Sequence, residues 1–116
     1  MNARTLFQRG TDILAYLRGY APDFPPEDQT SVSKEISELA TIVKLASDYV
    51  RTDAAKRWLA FCLDELNQAL TCYQSGDNDK GDRLLDSAEQ HFKDAREERA
   101  SKPTFIVGPD GQAEKM

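Results

Sequence analysis

Apolar side chains recur at alternating steps of four and three residues through the middle of the chain. Steps of this size place every such side chain on one side of an α-helix, where it can pack against other helices. Two successive stripes follow the spacing: Val32, Ile36, Leu39, Val43, Ala46 and Val50, then Ala55, Leu59, Cys62, Leu66, Ala69 and Tyr73. The phase breaks between them, because continuing the first stripe from Val50 would reach Asp53 and Arg57. The pattern predicts two helices, at about residues 31–51 and 53–75, with a chain reversal between them.

Shorter apolar stripes flank this central pair and predict two more helices, at about residues 2–20 and 78–100. Gly10 lies on the stripe of the first helix, and a glycine there permits close approach of another helix. Gly76 suits the left-handed position after the end of the third helix. We therefore predict an all-α fold, an antiparallel four-helix bundle over residues 1–102, followed by a short extended or flexible C-terminal tail at 103–116.

Two segments outside the helices carry apolar residues that are candidates for partner binding. Phe24 lies among the prolines of the 21–30 connection and is expected to pack into the bundle. Phe105, Ile106 and Val107 form a β-prone run after Pro103. This run has three open interpretations: it folds back on the bundle, it adds a strand to a partner or exchanges with another subunit, or it is loosely ordered.

Composition limits the classes of partner. Of the residues, 40% are hydrophobic and 30% charged, and the formal net charge is −5. An acidic surface repels phosphate backbones, which disfavours direct binding of nucleic acid. The exception to test is the basic start of the chain, with Arg4, Arg9 and Arg18. No apolar run approaches the ~18 residues that a bilayer crossing requires, so no membrane association is expected.

The two cysteines, Cys62 and Cys72, fall ten residues apart on one predicted helix, which corresponds to ~15 Å of rise. This separation is too large for a disulfide within the helix. Two reduced thiols indicate a reducing compartment, and we expect a cytoplasmic location.

Residues 65–92 resemble one tetratricopeptide-type helical hairpin. The matching positions hold a small residue, an aromatic residue, a turn, a large apolar residue and a second small residue: Ala69, Tyr73, Gly76 with Asp77, Leu85 and Ala88. The sequence departs from the repeat at Glu65, Gly81 and Lys93, and no second copy follows at a period of ~34 residues. The resemblance implies a scaffold that binds peptides or helices, and it carries over no catalytic residue.

Candidate chemistry is sparse. His91 is the single histidine, and no local motif joins it to either cysteine as a nucleophilic site requires. His91 and Asp94 have a spacing that would let both contact an ion, but a zinc site needs about four ligands. Asp64 and Glu65 are expected on the solvent side of the third helix. We predict no catalytic, cofactor-binding or metal-binding residue, and hence no enzyme.

The aromatic residues of the third helix allow two interpretations. Trp58, Phe61 and Tyr73 are expected to pack in the core, and an exposed groove is the alternative. The predicted function is a non-catalytic protein–protein interaction module: a small cytoplasmic adaptor, chaperone-like subunit or regulator that docks through helix faces or the tail. Basic or amphipathic partners suit the acidic surface, and a homodimer is an open alternative. The alternative function is an acidic inhibitor, of phage or mobile-element type, that mimics nucleic acid or blocks a nucleic-acid-binding protein.

Overall fold

The computed structural model of the chain describes the backbone of residues 2–100 and the side chains of residues 2–98. This part of the chain forms four α-helices, α1 (Ala3–Tyr20), α2 (Val32–Ser47), α3 (Asp53–Gln74) and α4 (Asn78–Ala100). One turn of 3-10 helix, Pro26–Asp28, lies in the connection between α1 and α2. The predicted all-α, antiparallel four-helix bundle is confirmed.

Each of the first three helices begins at a residue whose side chain accepts a hydrogen bond from the backbone N–H three residues later. Asn2 accepts from Thr5 at 2.9 Å, and Ser31 accepts from Lys34 at 3.1 Å. Thr52 accepts from Ala55 at 3.0 Å. These caps satisfy N–H groups that have no partner inside the helix, and each is typically worth about 1 kcal/mol.

The helices pack in chain order around a ring, with α1 closing against α4. Cross-helix contacts show that neighbours are antiparallel, because Phe7 near the start of α1 contacts Phe92 in the second half of α4, whereas Arg18 near the end of α1 pairs with Asp86. Among the described residues, α3 and α4 share the most extensive interface. More side chains therefore lie at the α3–α4 interface than at any other helix–helix interface of the described residues.

The predicted stripes form the core. All six residues of the α3 stripe are buried, and five of the α2 stripe are, with Val32 half-buried at the start. Gly10 allows α1 to approach α4, since a Cβ at this position would lie 2.4 Å from Cζ of Phe92. Gly76 has a φ of +86° and ends α3, in the left-handed conformation predicted for it.

Helix α2 ends at Ser47, earlier than the predicted end near residue 51. The N–H groups of Asp48 and Tyr49 turn back to the carbonyls of Leu45 and Ala46, at 3.0 and 2.9 Å, which closes the helix. Val50 is nevertheless buried, so the apolar stripe runs on after the helix has stopped. The apolar spacing indicates which side chains are buried. Here the buried side chains continue for about one turn beyond the last helical residue.

Candidate functional site

A half-buried carboxylate joins α3 to α4 on the outer side of their interface. Glu65 on α3 accepts a hydrogen bond from the hydroxyl of Ser87 through one oxygen. Its other oxygen lies 2.6 Å from Nδ1 of His91. The side chain of Glu65 is 16% exposed and that of His91 is 25% exposed. Glu65 therefore occupies the centre of a three-residue network that is largely withdrawn from solvent.

Helical periodicity explains this convergence. Ser87 and His91 lie four residues apart and project from the same side of α4 toward α3. Trp58, Phe61 and Glu65 follow at steps of three and four residues along α3, beside its buried stripe. Because the two helices run antiparallel, the rows face each other across the seam.

Two further rings, those of Trp58 and Phe61, pack against the imidazole of this network. The ring of Trp58 is nearly parallel to that of His91, with centroids 5.4 Å apart and an interplanar angle of 14°. The Phe61 centroid lies 5.6 Å from His91 and 6.2 Å from Trp58. Phe61 is 49% exposed. We call Trp58, Phe61 and His91 the aromatic face.

The hydrogen bonds fix one ring of this face directly. The carboxylate of Glu65 orients the imidazole of His91 through Nδ1, and the indole of Trp58 packs flat against that imidazole. Stacked aromatic pairs of this kind contribute about 0.5–1.5 kcal/mol beyond the area they bury. The imidazole and the indole are consequently held by these contacts, while the outermost ring, that of Phe61, contacts solvent.

The network lacks the order of groups that activates a nucleophile. In a Ser–His–acid triad the imidazole lies between the hydroxyl and the carboxylate and removes the hydroxyl proton. Here the carboxylate lies between the hydroxyl and the imidazole, so Ser87 donates to Glu65 and not to His91. The arrangement orients side chains and does not prepare Ser87 for attack.

The neighbouring thiol is also unsuited to nucleophilic chemistry. Cys62 lies one turn from Glu65 on α3 and is fully buried. Burial, with a further contribution from the charge of Glu65, raises the pKa of Cys62 to about 12. Because the thiolate is the reactive form, the Cys62 thiol is inert near neutral pH.

The residues predicted from sequence do not gather at this face. Phe24 is half-buried and stacks on Tyr16, with centroids 5.1 Å apart, at the connection between α1 and α2. Phe105, Ile106 and Val107 lie outside the described residues, so their role as a partner-binding segment stays a prediction.

The sequence placed Glu65 wrongly and Phe61 only as an alternative. Asp64 is exposed as expected, but Glu65 turns into the α3–α4 seam instead of solvent. Phe61 is exposed, whereas core packing was favoured for it, and Tyr73 is buried as expected. The signal that could have revealed the site is a second stripe on α3, Trp58, Phe61 and Glu65, beside the apolar one.

Comparisons with known proteins add no assignment. No protein-family model, curated protein or solved structure matches the chain. The resemblance of residues 65–92 to a tetratricopeptide-type hairpin stays a prediction. Across the described helices, none combines the length and the apolar run needed to cross a membrane. Within the same residues, no group of three or more His, Cys, Asp or Glu is arranged to hold a metal ion.

Proposed function

We propose that this chain is a non-catalytic protein–protein interaction module that docks through the aromatic face of α3 and α4. In this role it acts as a small cytoplasmic adaptor, chaperone-like subunit or regulator. The observation that carries the proposal is a half-exposed phenylalanine, Phe61, packed beside the rings of Trp58 and His91.

Contact with two neighbouring rings is what distinguishes Phe61 from an ordinary exposed apolar residue. Single apolar side chains are common on protein surfaces and need no functional explanation. Phe61, however, adjoins Trp58 and His91, and Glu65 fixes the imidazole from behind. Side chains that are already ordered lose little conformational entropy when a partner binds, which favours binding anchors of this kind.

The chemistry around the aromatic face supports a binding role over a catalytic one. Ser87 donates to a carboxylate instead of an imidazole, and the Cys62 thiol is buried and protonated near neutral pH. His91 is the single histidine of the chain, and its Nδ1 is engaged with Glu65. The Glu65 carboxylate and Nδ1 of His91 are thus committed to orienting the imidazole ring.

A capture experiment with matched variants tests the proposal. Full-length protein, Phe61→Ala and Tyr20→Ala serve as baits in native lysate; Tyr20, like Phe61, is 49% exposed but lies at the end of α1. We expect at least one protein to be captured by the wild type and by Tyr20→Ala and lost with Phe61→Ala. That protein, purified, should form a defined complex with the wild-type chain. Identical captures by all three baits would contradict docking through the aromatic face.

The other predicted elements remain separate proposals. The same capture tests for a homodimer. With substitutions at Phe24 or in the 105–107 run, it also tests binding through those positions. The alternative of a nucleic-acid mimic draws less support, because several acids pair within the bundle. Arg18 engages Asp86 and Glu89, each at 2.9 Å, which interrupts a continuous acidic surface along α4.

A further inference from the structure

Carboxylates flank the aromatic face on both helices. Asp64 lies one turn from Phe61 on α3, and Asp94 lies one turn from His91 on α4. Each accepts a hydrogen bond only from a glutamine amide on its own helix. Gln68, one turn after Asp64, donates to it at 2.7 Å, and Gln90, one turn before Asp94, donates to it at 3.0 Å. Among the side chains that the structure describes, neither carboxylate pairs with a lysine or arginine.

At two other helix seams, acidic side chains pair with an arginine of the neighbouring helix. At the α1–α4 seam, Arg18 pairs with two acids of α4. At the α1–α2 seam, Arg9 lies 3.5 Å from Glu38. On the outer α3–α4 seam, the sole cross-helix pair of an acid with a basic side chain among residues 2–98 is that of Glu65 with His91. Asp64 and Asp94 are therefore two of the described acids that have no cationic partner within the bundle, and they are the two that adjoin the aromatic face.

Resting on the interaction role proposed above, we infer that the partner is a basic amphipathic α-helix lying along the α3–α4 seam. Its apolar side packs on Phe61 and Trp58, and its lysine or arginine side chains pair with Asp64 and Asp94. Two antiparallel helices leave a groove between their ridges that a third helix can fill, and such docking uses anchors at helical spacing.

Charge argues for this occupant over the alternatives. A second copy of the chain carries the same net charge of −5, so its acidic surface would meet that of the first. The depression of about 240 Å³ between α2 and α3 competes poorly for a cationic helix, because its lining has two lysines, Lys44 and Lys56, against one acid, Asp48. The outer α3–α4 seam combines an apolar centre with unpaired acids, as a basic amphipathic helix requires.

The chain carries its own reporter for the test. Trp58 is the single tryptophan, and it belongs to the aromatic face. The probe is a synthetic amphipathic helix of about 18 residues built from leucine and lysine, with a counterpart that has glutamate in place of every lysine. Each peptide is titrated into full-length protein at low salt while Trp58 emission is followed. The titrations are repeated with Phe61→Ala, with Tyr20→Ala and with the double variant Asp64→Asn, Asp94→Asn.

We expect the lysine helix to bind with a shift in Trp58 emission and the glutamate helix to bind at least tenfold more weakly. Phe61→Ala should weaken binding of the lysine helix about tenfold or more, whereas Tyr20→Ala should leave it unchanged. The double asparagine variant should weaken it about three- to tenfold and reduce its salt dependence, since exposed charge pairs are screened by salt.

Several results would overturn the inference. Equal or tighter Phe61-dependent binding of the glutamate helix would refute the basic partner while leaving the interaction role intact. Binding of the lysine helix that ignores Phe61 would place it elsewhere on the acidic surface. Binding that appears only after Phe105, Ile106 and Val107 are replaced by serine would assign the aromatic face to the chain's own C-terminal segment. Failure of both helices, together with captures that do not depend on Phe61, would remove the proposed function as well.

Discussion

At the scale of single residues, Glu65 has the largest influence on the candidate site. A carboxylate withdrawn from water is costly unless hydrogen bonds replace its hydration. Ser87 and His91 provide those bonds from the neighbouring helix, so the cost is offset only when α3 and α4 are docked. Glu65 thus couples the orientation of the aromatic rings to the packing of two helices.

Glu65→Gln tests this coupling. The amide keeps the size of the side chain, but its nitrogen cannot accept a hydrogen bond from Ser87 or from a protonated Nδ1 of His91. We expect the free energy of unfolding to fall by about 1–2 kcal/mol, measured by urea unfolding followed with circular dichroism. Asp64→Asn is the matched control, because that exposed neighbour bonds only to Gln68 and should change stability by less than about 0.5 kcal/mol. Equal stability of the two variants would contradict the role assigned to Glu65.

At the scale of elements, the apolar stripes determine most of what could be predicted. The starts of α3 and α4, at residues 53 and 78, agree with the sequence prediction, and the break in phase marks the first of them. The end of α2 does not agree, since Val50 remains buried after the helix has closed. A hydrophobic pattern indicates which side chains face the core, and the conformation of the last turn follows from local backbone hydrogen bonds that the pattern does not encode.

Gly10 provides the sharpest test of helix packing. Alanine at this position gains up to ~1 kcal/mol in helix propensity, but its Cβ would lie 2.4 Å from the ring of the buried Phe92. The clash should dominate, because overpacking a filled core typically costs about 1–3 kcal/mol. We therefore expect Gly10→Ala to lower the free energy of unfolding in urea.

Gly19→Ala is the control for Gly10→Ala on the same helix. Gly19 is exposed, and a Cβ there meets nothing within 4 Å. This variant should be neutral or slightly more stable, because only the propensity difference acts. A stabilised Gly10→Ala variant would show that α1 and α4 are less closely packed than the structure has them.

At the scale of the whole molecule, the bundle follows from the sequence and the site does not. Each stripe can be read along one helix, because its period is local to that helix. The aromatic face joins Phe61 of α3 to His91 of α4, thirty positions apart in the chain, and no local period relates them. The adjacent acids Asp64 and Glu65 predict a solvent side of α3, and only the docking of α4 reveals the partners of Glu65.

The stability of the whole molecule should fall on the alkaline side. Burial of Tyr73 and its hydrogen bond to Asp82 raise the pKa of this phenol well above its ordinary value of about 10. Burial raises the pKa of Cys62 from about 9 to about 12. For each group the unfolded chain releases its proton at a lower pH than the folded chain does. The stability that these protonated groups contribute is complete below about pH 9 and is lost as pH rises toward the folded-state pKa values.

We therefore expect the free energy of unfolding, measured by urea titration at steps from pH 8 to pH 11, to decline beyond pH 9. Tyr73→Phe should reduce the alkaline slope, because about one fewer proton is released on unfolding above pH 10. The variant loses the bond to Asp82 at every pH, so the slope, and not the stability at neutral pH, identifies the titrating group. Tyr49→Phe alters an exposed tyrosine and serves as the control. An alkaline slope that is the same in the wild type and in Tyr73→Phe would show that the phenol between α3 and α4 does not resist ionisation as its burial and its carboxylate partner require.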